Sequence, residues 1–281
     1  MTSPAPLAGR RVLITGAARG IGAALARRLH WRGARLALAG IEPEQLRAVA
    51  VECGGSHVLD CDVRRHDQVA AAVSEAVEQL GGLDVVVANA GVAAQLPLLG
   101  GDPAVFERTI EVNLIGVYYT LREAGPHIAH PGGYALAISS LAAALHLPLM
   151  GAYCAAKAGV EALADALRIE LASSGARVGV AYFGELDTDM TRRGFSTQAA
   201  ARLRRPGPFT RANPLERGID AIERGIERRS RRVVAPGWVG PILPARMLLQ
   251  RLVDLGGRQG LDEALAIARE EHAPLTTPLD G

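Results

Sequence analysis

Of the 31 basic residues in this 281-residue chain, thirty are arginine and one, Lys157, is lysine. So uniform a preference excludes reading Lys157 as one of many interchangeable surface cations. Three cysteines, Cys53, Cys61 and Cys154, are too few for a disulfide framework, and a reducing, cytoplasmic setting is expected. Aromatics are 4% of residues while 49% are hydrophobic, so the core must be built from Ala, Val, Leu and Ile, which suits helices packed on buried strands. A net charge of +2 demands no acidic partner, and sparse aromatics without a recognition motif argue against nucleic acid. The opening residues are not expected to act as a secretory signal, because the pair Arg10–Arg11 follows a polar, proline-containing lead and a short apolar run follows it. From Ala124 to Ala156 there is no Asp, Glu, Lys or Arg, a length that would serve a membrane span. Pro131, Gly132, Gly133, Pro148 and Gly151 interrupt it, so it reads as helix end, strand, loop and new helix, and no transmembrane segment is expected. No set of metal ligands is assigned.

What is present alternates. Short apolar runs such as "RVLITG", "ARLALAG", "HVLDCDV", "LDVVVANAG", "GYALAISS" and "ARVGVAYFG" are separated by segments of helical period, among them "IGAALARRLHWRG" and one long helix around "PAVFERTIEVNLIGVYYTLREAG". Uninterrupted strands alternating with helices predict an α/β fold, a doubly wound, Rossmann-type parallel sheet with helices on both faces. Residues 1–240 are expected to form one dinucleotide-binding and catalytic domain, with a substrate flap at about 190–214. Residues 241–281 read as a helical extension.

"TGAARGIG" follows the first strand and opens a helix. Gly16, Gly20 and Gly22 allow a sharp turn and a close approach of a pyrophosphate, which the exposed N–H groups at the helix start favour. This loop, "CDV" at 61–63, "NAG" at 89–91, "VNLIGVYYT" at 112–120, "ISS" at 138–140, "YCAAK" at 153–157 and "FGELDTDM" at 183–190 occur in the order of the short-chain dehydrogenase/reductase family, which residues 8–190 resemble. The resemblance implies an NAD(P)-dependent oxidoreductase. By it, Gly16, Arg19, Gly20, Ile21 and Gly22 form the cofactor loop and Asp62 and Val63 contact the adenine. Asn89, Ala90 and Gly91 wall the cleft, while Leu186 and Thr188 meet the nicotinamide carboxamide. Two departures from the family pattern are Ala88, where a second asparagine often stands, and Phe183, where proline is usual. The end of strand two holds Gly40 instead of an acid that would grip a ribose 2′-OH, and Arg19 resembles the basic residue that meets a 2′-phosphate. Glu42 can still take the ribose role; the balance leans to NADP.

Tyr153 and Lys157 lie four residues apart, hence on one face of a helix. A free phenol with pKa about 10 is a poor base at neutral pH, and a neighbouring ammonium together with a nicotinamide ring is expected to lower it. Arginine would supply a planar, permanently protonated group that cannot relay a proton. Ser140, thirteen residues before the tyrosine, ends a strand on the ligand side of such sheets and is placed to hold a substrate oxygen; Ser139 is the neighbour that ends the strand. Asn113 is the fourth member by resemblance, locally distorting its helix and holding a water that links Lys157 to solvent. Its bland alternative is a buried side chain satisfying backbone groups. Cys154 reads as packing. The expected reaction passes hydride between the nicotinamide and a carbonyl carbon, with Tyr153 exchanging the proton.

Between Arg192 and Arg232 twelve arginines face four acids. The first reading is a solvated helix face and oligomer contact; an anionic substrate is second. A lipid surface is third, reached through Trp238 and the stripe Met247, Leu248, Leu249 and Leu252. Leu96, Leu98, Leu99, Leu147, Leu149, Met150, Phe183, Phe195 and Phe209 fall on segments bordering the cleft, and predict an apolar secondary alcohol or its ketone, lipid-like or alicyclic. A homo-oligomer, dimer or tetramer, is implied by the resemblance. A dinucleotide-binding regulator without turnover is the competing class, against which the intact tetrad argues.

Overall fold

The computed structural model describes residues 7–194, 197–203, 212–271 and 275–276. Strand β1 (Arg11–Thr15) leads through the glycine loop to α1 (Gly20–Trp31), β2 (Arg35–Gly40) to α2 (Pro43–Glu52), and β3 (His57–Asp60) to α3 (His66–Leu80). Strand β4 (Val85–Ala88) is followed by α4 (Pro103–Ile110), a π-helical turn (Glu111–Ile115) and α5 (Gly116–Ile128), and β5 (Tyr134–Ile138) by α6 (Gly151–Glu170). Then come β6 (Arg177–Phe183), α7 (Asp189–Gly194), α8 (Gln198–Leu203), α9 (Leu215–Arg228), β7 (Arg232–Ala235), α10 (Val239–Gly256) and α11 (Leu261–Glu271).

The seven strands form one parallel sheet in the order β3-β2-β1-β4-β5-β6-β7. Val12 of β1 stands beside both Leu36 of β2 and Val85 of β4, so the order reverses direction at β1. In such sheets the crevice outside the strand ends at this reversal is where ligands bind. One face of the sheet buries Val69, Val73, Val117, Leu121, Val160 and Ala164 from α3, α5 and α6. The other buries Leu25, Leu29, Leu46, Ile219, Ile222 and Ile226 from α1, α2 and α9. The doubly wound expectation holds.

The long helix carries a π turn at Asn113, the residue expected to distort it, and such turns recur at functional sites. Helix α6 ends at Glu170, and a 3-10 turn follows over Ala172–Ser174. No helix among the described residues is long and apolar enough to cross a membrane. Parts of the expected flap (195–196 and 204–211, with Phe195 and Phe209) lie outside the described residues.

Candidate active site

The reversal point is tied by side chains. Asn89, at the end of β4, donates its amide to the carbonyls of Thr15 (2.9 Å) and Gly16 (3.0 Å), while Thr15 Oγ1 accepts from the N–H groups of Asn89 and Ala90. This is why Gly16 must be glycine: its φ is +65°, and a Cβ there would sit 2.7 Å from Ala90 Cα. A Cβ on Gly22 would meet the Asn89 amide at 2.7 Å. Two loops from different strands thus close into one cleft. Arg19, Gly20, Ile21, Gly40, Glu42, Asp62 and Val63 line one end of it. There the two sequence alternatives meet in one ion pair, because Arg19 donates to Glu42. The carboxylate of Asp62 is held by Arg64.

At the other end, β5 delivers Ser140 and the first turns of α6 deliver Tyr153 and Lys157. Tyr153 hydrogen-bonds with Ser140, whose Oγ also accepts from Ala142 N at 3.1 Å. Lys157 is buried, its Nζ donating to Ile138 O at 2.8 Å and lying 5.5 Å from the centroid of the Tyr153 ring. Ser139 donates to the carbonyl of Lys157 at 2.9 Å and so pins the helix to the strand end. Cys154 packs with Ala93 and Ala142, as a small core residue would.

Two details of burial and hydrogen bonding belong to the chain without a cofactor. Burial pushes the Tyr153 phenol up to about 12, against the lowering influence of Ser140, and pushes Lys157 down to about 8. A low-polarity surround disfavours both charged forms, so the chain by itself does not make the phenol acidic. The side chain of Asn113 accepts from Val92 N (3.0 Å) and donates to Val92 O (2.8 Å), which fixes the loop after β4. Its amide thus satisfies backbone groups, and the expected helix distortion is present as the π turn.

The sequence matches the family profile described as short chain dehydrogenase over residues 10–199. The chain belongs to the short-chain dehydrogenase/reductase family. It is 36% identical over 220 residues to cis-4-hydroxycyclohexanecarboxylate dehydrogenase of Sinomonas cyclohexanicum, covering 76% of this chain and 88% of that one. It is 37% identical over 201 residues to glycine betaine reductase of Emericella nidulans, a match covering 70% of this chain and 16% of that longer protein. The crystal structure of a dehydrogenase/reductase from Sinorhizobium meliloti 1021 superposes with a TM-score of 0.72 at 28% identity, covering 81% of this chain and 93% of that one. This member of the family is accordingly an NAD(P)-dependent oxidoreductase acting on CH–OH groups.

Beyond Tyr153 the cavity, about 1030 Å³ in all, is apolar. Leu147, Leu149, Met150 and Phe183 line it as expected. Leu96, Leu98 and Leu99 do not: Leu98 leans on Gly151 outside the cleft, and Leu99 is exposed. Trp238, Leu249 and Leu252, assigned by sequence to a lipid-facing stripe, belong to the cavity wall, whereas Met247 and Leu248 face outward. Sequence reasoning missed Val253 and Thr276 altogether. Thr276 enters from the far end of the chain, its Oγ1 accepting from Ala93 N at 3.0 Å and its N–H donating to Ala93 O at 3.0 Å. No periodicity marks such residues; only the path of the chain brings them here.

Proposed function

We propose that the chain interconverts an apolar secondary alcohol and its ketone, with Tyr153 as proton donor and acceptor, Ser140 as holder of the substrate oxygen and Lys157 as the cation behind the tyrosine. The observation that carries this reading is the hydrogen-bonded Ser140–Tyr153 pair on the cavity wall, with Lys157 one helical turn behind it. The apolar lining supports the substrate class, and the secondary alicyclic alcohol in the name of the Sinomonas relative is consistent with it.

The residues present fit a dinucleotide. Gly20, at φ +54° and the first residue of α1, has only Thr188 Cβ near the place of a side chain, at 4.0 Å, and N–H groups at this helix start favour phosphate. Gly16, Gly20 and Gly22 would hold the pyrophosphate, Asp62 and Val63 the adenine, Asn89, Ala90 and Gly91 the cleft wall, and Leu186 and Thr188 the carboxamide. When bound, the nicotinamide supplies or accepts the hydride, and its oxidised ring adds a positive charge. In reduction, Ser140 Oγ and Tyr153 Oη hold the carbonyl oxygen, and Tyr153 releases its proton as negative charge grows there. The buried Lys157 ammonium favours the phenolate that remains, and oxidation runs the same proton backward. Asn113 keeps Val92 in place and with it the wall beside Lys157.

NADP is the cofactor of this reading, because β2 ends in Gly40 and the guanidinium of Arg19 reaches that same end. A 2′-phosphate would compete with Glu42 for it. Three free, buried cysteines support a reducing cytoplasmic location, and exposed Tyr118 and Ile169 on α5 and α6 support a homo-oligomer joined through those helices. The experiment is titration with NADPH and NADH by nicotinamide fluorescence, followed by turnover of cyclic and linear ketones. NADPH is expected to bind more tightly, and Tyr153→Phe to bind it as the parent does while losing about a hundredfold or more in kcat. Undiminished turnover by Tyr153→Phe would remove the mechanism; tighter NADH binding would assign Glu42 to a ribose.

A further inference from the structure

We infer that the groove between the Leu145–Met150 loop and α10 binds the apolar tail of an elongated substrate, whose reacting carbon lies at Ser140 and Tyr153. The inference rests on the alcohol–ketone reading above and specifies what that substrate looks like.

Four observations point the same way. The cavity that contains Tyr153 is continuous past the cofactor cleft with Leu249, Leu252 and Val253 of α10. Its wall is graded: Leu149 is 4% exposed, Leu147 49% and Leu252 64%, so an apolar lining continues from the enclosed end to an open mouth. The two walls are fastened to each other. Gln250 accepts from His146 N at 2.8 Å and donates to His146 O at 3.1 Å, as a strand partner would, and a Cβ on Gly257 would lie 3.6 Å from Pro148 Cγ. The groove is therefore a held shape that does not depend on a chance closure. Finally, the residues that this loop and α10 contribute to the lining, among them Leu147, Leu149, Leu249 and Leu252, carry no polar side chain. A polyhydroxylated substrate would leave its own hydroxyls without partners against these leucines, at a desolvation cost, whereas methylenes gain by covering them. The exposed leucines of the mouth are thereby accounted for, because the substrate covers them.

The test is a series of 2-alkanols from pentan-2-ol to decan-2-ol, each below its solubility limit, oxidised by the intact chain with NADP or NAD. The parent is expected to gain about two- to fourfold in kcat/KM per added methylene until the groove is filled. Leu252→Asp and Leu252→Ser should each lower the decan-2-ol to pentan-2-ol ratio by about tenfold or more. Leu248→Asp, on the outward side of the same helix, should leave that ratio as in the parent. Both positions are exposed, so an unchanged melting temperature verifies the fold of each variant. Turnover with a flat length profile, or an equal loss in Leu248→Asp and Leu252→Asp, overturns the tail site while leaving the oxidoreductase reading intact. No turnover of any alkanol while cyclohexanols are oxidised overturns the tail site alone; no turnover of either class overturns the alcohol–ketone reading with it.

Discussion

At the scale of the residue, the chemistry turns on two groups that burial drives toward neutrality. Lys157 has its pKa lowered to about 8 and Tyr153 has its phenol raised to about 12, both by desolvation. The lysine is then the group that titrates within the working range, and the tyrosine follows it. The sign is fixed by the direction of reaction. Ketone reduction consumes a proton and needs the protonated pair, so its kcat/KM should fall as pH rises through about 8, while alcohol oxidation should rise over the same interval. In Lys157→Arg the guanidinium stays charged, so this inflection should vanish along with most of the activity. Paired pH–rate profiles in the two directions check this. An inflection near 8 that persists in Lys157→Arg would assign it to another group. The expectation that lysine stands alone among arginines for a reason was legible in composition. The direction of the tyrosine shift was not, because burial is a property of the folded surroundings.

At the scale of the element, α1 and α9 show why a segment rich in charge can still be a packed helix. Ile219, Ile222 and Ile226 of α9 enter the core. On its flank, Glu216, Asp220 and Glu223 converge on Arg28 of α1, at 2.8, 2.7 and 2.6 Å, and Glu223 also accepts from Arg32. The acids of α9 are therefore consumed by α1, and Arg217, Arg224 and Arg228 remain exposed, in line with a solvated basic face. Glu223 is the buried member of this network. Replacing it by Ala should cost about 1.5–3 kcal/mol, since charged donors on Arg28 and Arg32 lose their acceptor. Glu52→Ala, which breaks an exposed pair with Arg27, should leave the urea midpoint near that of the parent. Equal midpoints for the two variants would show that the α1–α9 network contributes nothing. The π turn between α4 and α5 carries the complementary lesson. Helical period predicts one long helix and the resemblance a distortion at Asn113, but only the bonds from Asn113 to Val92 across the fold show what that turn holds.

At the scale of the whole molecule, the end of the chain returns to the site. Glu271 at the close of α11 accepts from the N–H groups of Gln198 (2.8 Å) and Ala199 (3.2 Å) at the start of α8, and Arg202 of α8 pairs with Glu263. Thr276 then meets Ala93, just past the loop that Asn113 holds. Thr276→Val keeps the shape but leaves Ala93 N without its side-chain acceptor, a loss of about 1 kcal/mol or more. Substrate KM should rise about fivefold or more, with cofactor affinity unchanged, because the contact lies on the substrate side of the cavity. Steady-state kinetics beside a cofactor titration checks this, and parallel losses of both would point to general destabilisation.

What the chain determined locally was readable locally. The glycine loop after β1, the four-residue step from Tyr153 to Lys157 and the alternation of apolar strand and helix each depend on neighbours a few residues apart, where backbone geometry alone decides which groups share a face. The substrate side depended on tertiary structure. Gln250 meets His146 from 104 residues away and Thr276 meets Ala93 from 183, separations over which no sequence period survives. Whether a leucine such as Leu252 lines a cavity or faces outward is decided by where its helix lands on the sheet, since apolar side chains look alike until the folded chain chooses what they cover.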